Sequence, residues 1–354
     1  MVGPLPNVGE DHIGGSKVSF LQMVNDLKNI DWLAFDTISI SRPLASAGKL
    51  NRAIVDATFL IRTLWTFLTT GHRYDVWAVH VSAGGVFNLF PAIYLVSKFY
   101  RKPVLLRLFG GDMDTVLDSS STCQKWLFNK TAARTHKLIL QTQSLINNFQ
   151  SLGNTEWLPT TRHLNVKPQS RKQCRRILFM SQIRADKGVR VAVEAAQTLP
   201  DDCGLDFYGS PVETEMVELI TNADKTTYHR ELRPAEVPEI LNTYDALILP
   251  TYWKGEGFPG ILIEAFQCGI PVIASAWRQI PEVVEDGVNG LLVEPKSTES
   301  LSNAINAIVS GDQLYQRLAE GAMESGGNYD SVTWNKNFAT WCLEAKQEYS
   351  RRIS

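Results

Sequence analysis

From about Arg175 onward, short apolar runs alternate with stretches of helical period. Ile177–Ser181, Leu205–Tyr208, Ala246–Leu249 and Pro271–Ala274 are predicted strands, and helices are predicted near 188–199, 212–223, 235–243 and 260–268. Asp286-Gly287-Val288-Asn289-Gly290 is a turn signal ahead of another strand, Leu291–Val293, which Pro295 stops. Alternation of this kind predicts a parallel sheet with helices on both faces.

The first half repeats the pattern less cleanly. Val18, Leu21, Val24 and Leu27 mark a helix near 17–29, and strands are predicted at Leu33–Ile40, Val76–Val81, Val104–Leu108 and Leu138–Gln141. The fold class is therefore α/β, with two doubly wound, Rossmann-like domains of about 1–165 and 166–330 facing a cleft. The seam falls in the polar stretch Thr160–Lys172, which holds Pro168 and several basic side chains. Ligands of such sheets bind at the carboxyl ends of the strands, so the cleft is where site residues are expected.

Composition narrows the class. At 354 residues the chain exceeds what one core usually supports, and 44% hydrophobic with 20% charged residues describes a soluble globular protein. A net charge of −2 excludes attraction of the whole molecule to nucleic acid and leaves local patches open. Five scattered cysteines without a CxxC pair suggest a reducing, cytoplasmic setting. The start, MVGPLPNVGEDHIGG, has the character of no signal peptide. Val76–Ser97 lacks Asp, Glu, Lys and Arg over a bilayer's length, but its His80, Gly84-Gly85, Asn88 and Pro91 divide it into a strand, a glycine turn and a short helix.

The most informative run is Leu249-Pro250-Thr251-Tyr252-Trp253-Lys254-Gly255-Glu256-Gly257-Phe258-Pro259-Gly260-Ile261-Leu262-Ile263-Glu264. A buried strand ends at Pro250, and Pro259 suits the first turn of a helix. The amides of Gly260, Ile261 and Leu262 would then favour an anion such as phosphate. Glu256 precedes this helix start and Glu264 lies about 7 Å beyond Pro259. Carboxylates accept hydrogen bonds from hydroxyl groups, so hydroxyl, phosphate and hydroxyl subsites in a row describe a nucleotide sugar. Taken singly, Glu256 could be a solvated loop residue and Glu264 a complement to the helix dipole.

Glu256 and Glu264 match the Glu-x7-Glu motif of the retaining family 4 glycosyltransferases of the GT-B fold. CGIPVIAS and IPEVVEDGVNGLLVEP continue the likeness, and the chain resembles that family over nearly its whole length. The resemblance implies that Glu264 holds ribose hydroxyls. It also implies that Glu256 contacts the transferred sugar beside Gly257, Phe258, Pro259, Gly260 and Ile261. Lys187, in the strand-loop-helix segment from Ile177 to Gly188, would neutralise the leaving diphosphate without a metal. An Arg usual five residues earlier is Gln182 here, and Arg184 is the candidate to replace its charge. Gly14 and Gly15 fit the glycine-rich loop that approaches the donor phosphates. Only Met1-Val2 precede the GPLP segment, where the family has a longer first strand.

On the acceptor side the candidates are His80, Gly110, Gly111 and Asp112. His80 reads equally well as a structural histidine, and Phe109 stands where many relatives carry a histidine. Asp112-x-Asp114 resembles a metal-binding DxD but reads as acidic residues at a helix start, so no metal is expected. Lys125–Lys137, basic with interleaved apolar side chains, reads as either a solvated helix face or a peripheral contact with anionic membrane. The final helix, near 331–354, carries Trp334, Phe338 and Trp341 and by the resemblance packs back on the first domain.

The function these readings converge on is a retaining, metal-independent hexosyltransferase. It would use a nucleoside-diphosphate sugar and a glycan or lipid-linked acceptor in polysaccharide or glycoconjugate synthesis. A nucleobase contact is expected near His229–Leu232. A catalytically silent subunit or carbohydrate-binding partner on the same fold is the alternative, favoured by Gln182 and Phe109. An epimerase or phosphorylase has no supporting motif.

Overall fold

Each half of the chain builds one six-stranded sheet in which every pairing is parallel. The computed structural model describes residues 1–7, 10, 14–41, 49–163, 166–169 and 171–353, with side chains described except at 49–57, 59, 352 and 353. Residues 164, 165 and 170 of the expected seam lie outside that set. The chain divides into two units, Met1–Pro159 with Ser331–Ser354, and Thr160–Asp330.

The first unit contains β1 (Val2–Gly3), β2 (Ile38–Ser39), β3 (Trp77–Ser82), β4 (Val104–Phe109), β5 (Lys137–Leu140) and β6 (Thr155–Trp157), in the order β2-β1-β3-β4-β5-β6. The expected strand Leu33–Ile40 shrinks to two residues because β1 offers only Val2 and Gly3 to pair with Ile38 and Ser39. Alternate residues supply the two faces. Val79, Val81, Leu106, Leu108 and Leu138 join one apolar cluster, whereas Ala78, Leu105 and Ile139 join another.

Four helices follow the early strands: α1 (Gly15–Leu27), α2 (Lys49–Thr70), α3 (Ala83–Asn88) and α4 (Phe90–Phe99). The uncharged stretch at Val76–Ser97 thus resolves into β3, α3 and most of α4. Gly84 and Gly85 lie inside α3 rather than in a turn, and a Cβ at Gly85 would come within 2.8 Å of Val81 Cβ. Among the described residues no helix is long and apolar enough to cross a membrane.

The C-terminal helix Ser331–Ile353 covers the second face of this sheet together with α1. Ser331 Oγ and Asn335 Nδ2 donate to Asp26 Oδ2 at 2.6 and 2.7 Å, and Phe338 packs with Met23, Leu27, Ala78 and Leu105. The Lys125–Lys137 stretch does not form one free basic face. Lys137 lies 2.6 Å from Glu156 and 3.3 Å from Glu344, and His136 lies 3.5 Å from Glu348. Burial and these carboxylates oppose one another at Lys137, with the net effect of raising its pKa.

The second unit contains β7 (Arg176–Met180), β8 (Gly204–Tyr208), β9 (Thr226–Tyr228), β10 (Ala246–Leu249), β11 (Val272–Ser275) and β12 (Gly290–Val293), in the order β12-β11-β10-β7-β8-β9. Chain order reverses between β7 and β10. Connections leaving two such strands go to opposite faces of the sheet and open a crevice at their carboxyl ends.

Candidate functional site

Lys187 and Glu256 come from the two loops that leave this reversal point. After β7 the chain makes a 3-10 turn at Ala185–Lys187 and starts a helix, Val189–Ala196, through Gly188 at φ +82°. Only glycine fits there, because a Cβ would lie 2.1 Å from the carbonyl oxygen of Pro250. Tyr252 N donates to Asp186 O at 2.9 Å and fastens the two loops together.

That approach brings Lys187 Nζ to 2.6 Å from Glu256 Oε2, with both residues buried. Thr251 Oγ1 donates to the same oxygen at 2.9 Å, and the ammonium lies 4.2 Å from the centre of the Trp253 ring. A buried charge pair is tolerable only when its polar atoms are satisfied in this way. Trp253 is itself held, its carbonyl accepting from Trp277 Nε1 at 2.8 Å and its amide donating to Thr251 Oγ1 at 3.2 Å.

A second pair sits on the helix Gly260–Gln267. Pro259 is the residue before this helix rather than its first residue, with φ −66° and ψ 119°. Leu262 N bonds back to Pro259 O at 3.3 Å, so among the described residues the open helix-start donors are the amides of Gly260 and Ile261. Glu264, on the first turns, accepts from Arg162 Nε at 2.5 Å. Arg162 is buried, and its Nη1 donates to Thr161 O at 2.9 Å. Gly260 makes room for this guanidinium, since a Cβ there would lie 2.1 Å from Nη2. Thr160 Oγ1 donates to Phe258 O at 2.9 Å and fixes the loop ahead of the helix. Gly257 continues that loop between buried Glu256 and buried Phe258.

Arg184 faces Asp186: Nη2 donates to Oδ2 at 2.7 Å and Nε lies 2.6 Å from Oδ1, so its charge is locally balanced. Gln182 is exposed. At the end of β9, His229 stacks on Tyr208 with ring centres 4.4 Å apart and planes inclined by 9°.

The remaining candidates lie in the first unit. Gly14 caps α1 and Gly15 begins it, both exposed, with open space where a side chain would be. Gly110 has φ +102° and its amide donates to Gln141 Oε1 at 2.6 Å. Gly111 is buried, and Asp112 precedes the helix Met113–Ser119 without capping it through its side chain. Asp114 is used locally, accepting from Thr115 N and Asn148 Nδ2, each at 2.7 Å.

His80 does not end its strand, which runs on to Ser82, and it is fully buried. Its ring packs among Phe20, Phe338 and Phe109 at 4.8, 5.4 and 6.2 Å, and among the described residues neither ring nitrogen has a hydrogen-bond partner. Burial, reinforced by the positive charge of Arg107, holds its pKa well below the ordinary histidine value. The unfolded chain takes up a proton near pH 6.5 that the folded chain refuses, so stability falls as pH drops below that value. The expected slope from this one group is about 1.4 kcal/mol per pH unit. His80→Leu should remove that acid limb and raise Tm at neutral pH; unchanged pH dependence of thermal unfolding would contradict the assignment.

The segment that carries both ion pairs has counterparts in a known family. Residues 162–325 match the family described as glycosyl transferases group 1. An N-acetylgalactosaminyltransferase of Campylobacter jejuni, named as acting on N,N'-diacetylbacillosaminyl-diphospho-undecaprenol, is 25% identical over 154 residues, 44% of this chain and 40% of its own. A D-inositol 3-phosphate glycosyltransferase of Xylanimonas cellulosilytica is 28% identical over 154 residues, 41% of this chain and 36% of its own. The chain thus spans about two fifths of the length of these curated relatives. Among solved structures, Anabaena HepE in complex with UDP and glucose superposes with a TM-score of 0.71 at 17% identity, covering 96% of this chain and 98% of that one. A glycosyltransferase from Rickettsia africae gives 0.71 at 19% identity, covering 98% and 97%. The fold is GT-B, built of two Rossmann-like domains.

Three residues of the site escaped the sequence reading. Thr251 and Trp253 lie inside the run Leu249–Glu264, where a hydroxyl between a strand end and a glutamate is the available signal. Arg162 lies 102 residues from Glu264 and had no local signal.

Proposed function

We propose that the chain is a retaining glycosyltransferase that moves a hexose from a nucleoside-diphosphate sugar to a hydroxyl of a glycan or lipid-linked acceptor, without a metal. The observation that carries this reading is the pairing of Lys187 with Glu256 at the β7/β10 reversal, beside the open amides of Gly260 and Ile261 and the Arg162–Glu264 pair. Support for the reaction class comes from the group 1 glycosyl transferase match and from relatives named for sugar transfer. All five cysteines are free, which suits a reducing, cytoplasmic setting.

In this reading Glu264 holds ribose hydroxyls, and the amides of Gly260 and Ile261 receive the anionic end of the donor. Lys187 offers its charge to the departing diphosphate, and Arg184 assists if it leaves Asp186. Glu256 orients the sugar and does not become a covalent nucleophile. The acceptor hydroxyl attacks on the face from which the diphosphate departs, and an oxygen of the leaving phosphate takes its proton. The C–O bond to phosphate breaks as the new glycosidic C–O bond forms, with anomeric configuration retained.

A catalytically silent subunit remains the second reading, because Arg184 is tied to Asp186 and Gln182 carries no charge. Release of nucleoside diphosphate from a panel of donors, with and without chelator, separates the two. Turnover that survives chelation is the expected result; donor binding without turnover would establish the silent subunit.

A further inference from the structure

An apolar face of the first unit has none of the described residues packed over it. On α2, Ile61, Trp65 and Leu68 are 67%, 67% and 44% exposed, and on α4, Leu95 and Phe99 are 67% and 75% exposed. Spacings of four and three residues put each set on one side of its helix. The helices are neighbours: Tyr100, just past α4, donates its hydroxyl to the carbonyl of Leu68 and meets Phe99 edge-on at 5.0 Å. The inward side of α2 is already satisfied, with Thr63 and Phe67 buried and Phe67 against Trp77 at 4.5 Å. The outward stripe therefore contributes nothing to the core of this unit.

Among the described side chains next to that stripe, the unpaired charge has one sign. Arg62, Arg73, Lys98 and Arg101 are exposed and Lys102 is half-buried. Among the described residues none of these five pairs with a carboxylate. Residues 57–74 and 76–111 contain no Asp or Glu, and the intervening Asp75 is taken by Lys346 at 2.7 Å. Lys98 and Lys102 also line a polar cavity of about 420 Å³ beside α4, shared with Arg134. Its acidic members, Glu156 and Glu348, are occupied by Lys137 and His136.

We propose that the α2–α4 face docks on the surface of an anionic lipid bilayer. Large aromatic and aliphatic side chains enter the boundary between headgroups and acyl chains, and the rim of cations meets anionic headgroups. A second copy of the chain fits poorly, because a two-fold contact would set this cationic rim against itself. The surface differs from the Lys125–Lys137 stretch, where His136 and Lys137 already face carboxylates.

The test uses the full chain and cosedimentation with phosphatidylcholine vesicles, with and without phosphatidylglycerol. Binding to the mixed vesicles, weakened by added salt, is expected, with little binding to phosphatidylcholine alone. Trp65→Ser with Phe99→Ser should weaken partition by about tenfold or more, as two large apolar side chains leave the interface. Arg62→Glu with Arg101→Glu should abolish the preference for the anionic vesicles, and Trp126→Ser should change nothing. All variants alter exposed side chains, so each should keep the parent's thermal unfolding. No binding to mixed vesicles, or equal binding by the Trp65/Phe99 variant, overturns the proposal. So does self-association without lipid that Trp65→Ser abolishes, since the face would then be a contact between copies.

Discussion

Lys187→Ala is expected to lower kcat for sugar transfer by about 10²–10³-fold, the loss typical of removing one electrostatic contact to a developing anion. The ammonium is the charged group at the β7/β10 reversal that faces Glu256, and Thr251 and Trp253 hold the pair in place. Its removal also leaves a buried carboxylate without its partner, which costs about 3–5 kcal/mol. The single variant should therefore melt earlier as well as turn over slowly. Lys187→Met combined with Glu256→Gln removes both charges and should recover most of the lost Tm while activity stays low. A folded Lys187→Ala protein with near-parental kcat would refute the assignment of Lys187 to the leaving group.

Glu264→Ala should weaken binding of the nucleoside diphosphate by about 10- to 100-fold, the range of one or two lost hydrogen bonds to a charged group. Isothermal titration with the ribonucleotide and its 2′-deoxy and 3′-deoxy forms is the measurement. The parent should prefer the ribonucleotide, and the variant should lose that preference. Arg162→Ala tests the support beneath it, because Arg162 fixes one oxygen of Glu264 at 2.5 Å. Its effect and that of Glu264→Ala should not add, as expected for residues in one contact. Arg162→Lys should recover little, because an ammonium cannot reproduce the sideways Nε contact while lying flat over Gly260. Unchanged nucleotide affinity in Glu264→Ala would remove the ribose role from this residue.

These effects follow from residues with different visibility in the sequence. Glu256, Glu264 and Lys187 were readable because each lies within a few positions of a strand end or a helix start. Arg162 was not, since contacts across a hundred residues leave no periodic trace. The Arg184–Asp186 pair was only two residues apart, yet nothing in the spacing says that an arginine turns to its neighbour rather than to a ligand. Most of the second unit was legible because its buried strands are short apolar runs between helical periods. The first was less so: β1 and β2 hold two residues each, and the helix Lys49–Thr70 was missed because Ile61, Trp65 and Leu68 place apolar residues on its outward side as well. His80 admits two readings, acceptor contact and core histidine; it lies buried among Phe20, Phe109 and Phe338, and burial lowers its pKa well below the ordinary histidine value.

The return of the helix Ser331–Ile353 to the first unit sets an order for folding during synthesis. Residues 160–330 form one continuous stretch and can close as soon as they leave the ribosome. The amino-terminal unit cannot, because Phe338, Ala339 and Ala345 complete the layer over Ala78, Leu105 and Ile139. The part made first is thus completed after the middle segment, and α1 alone covers that face of its sheet until the helix Ser331–Ile353 has emerged. A released chain ending at Asp330 should bind hydrophobic dyes and be cleaved readily in its first 159 residues, whereas the middle segment should already resist protease.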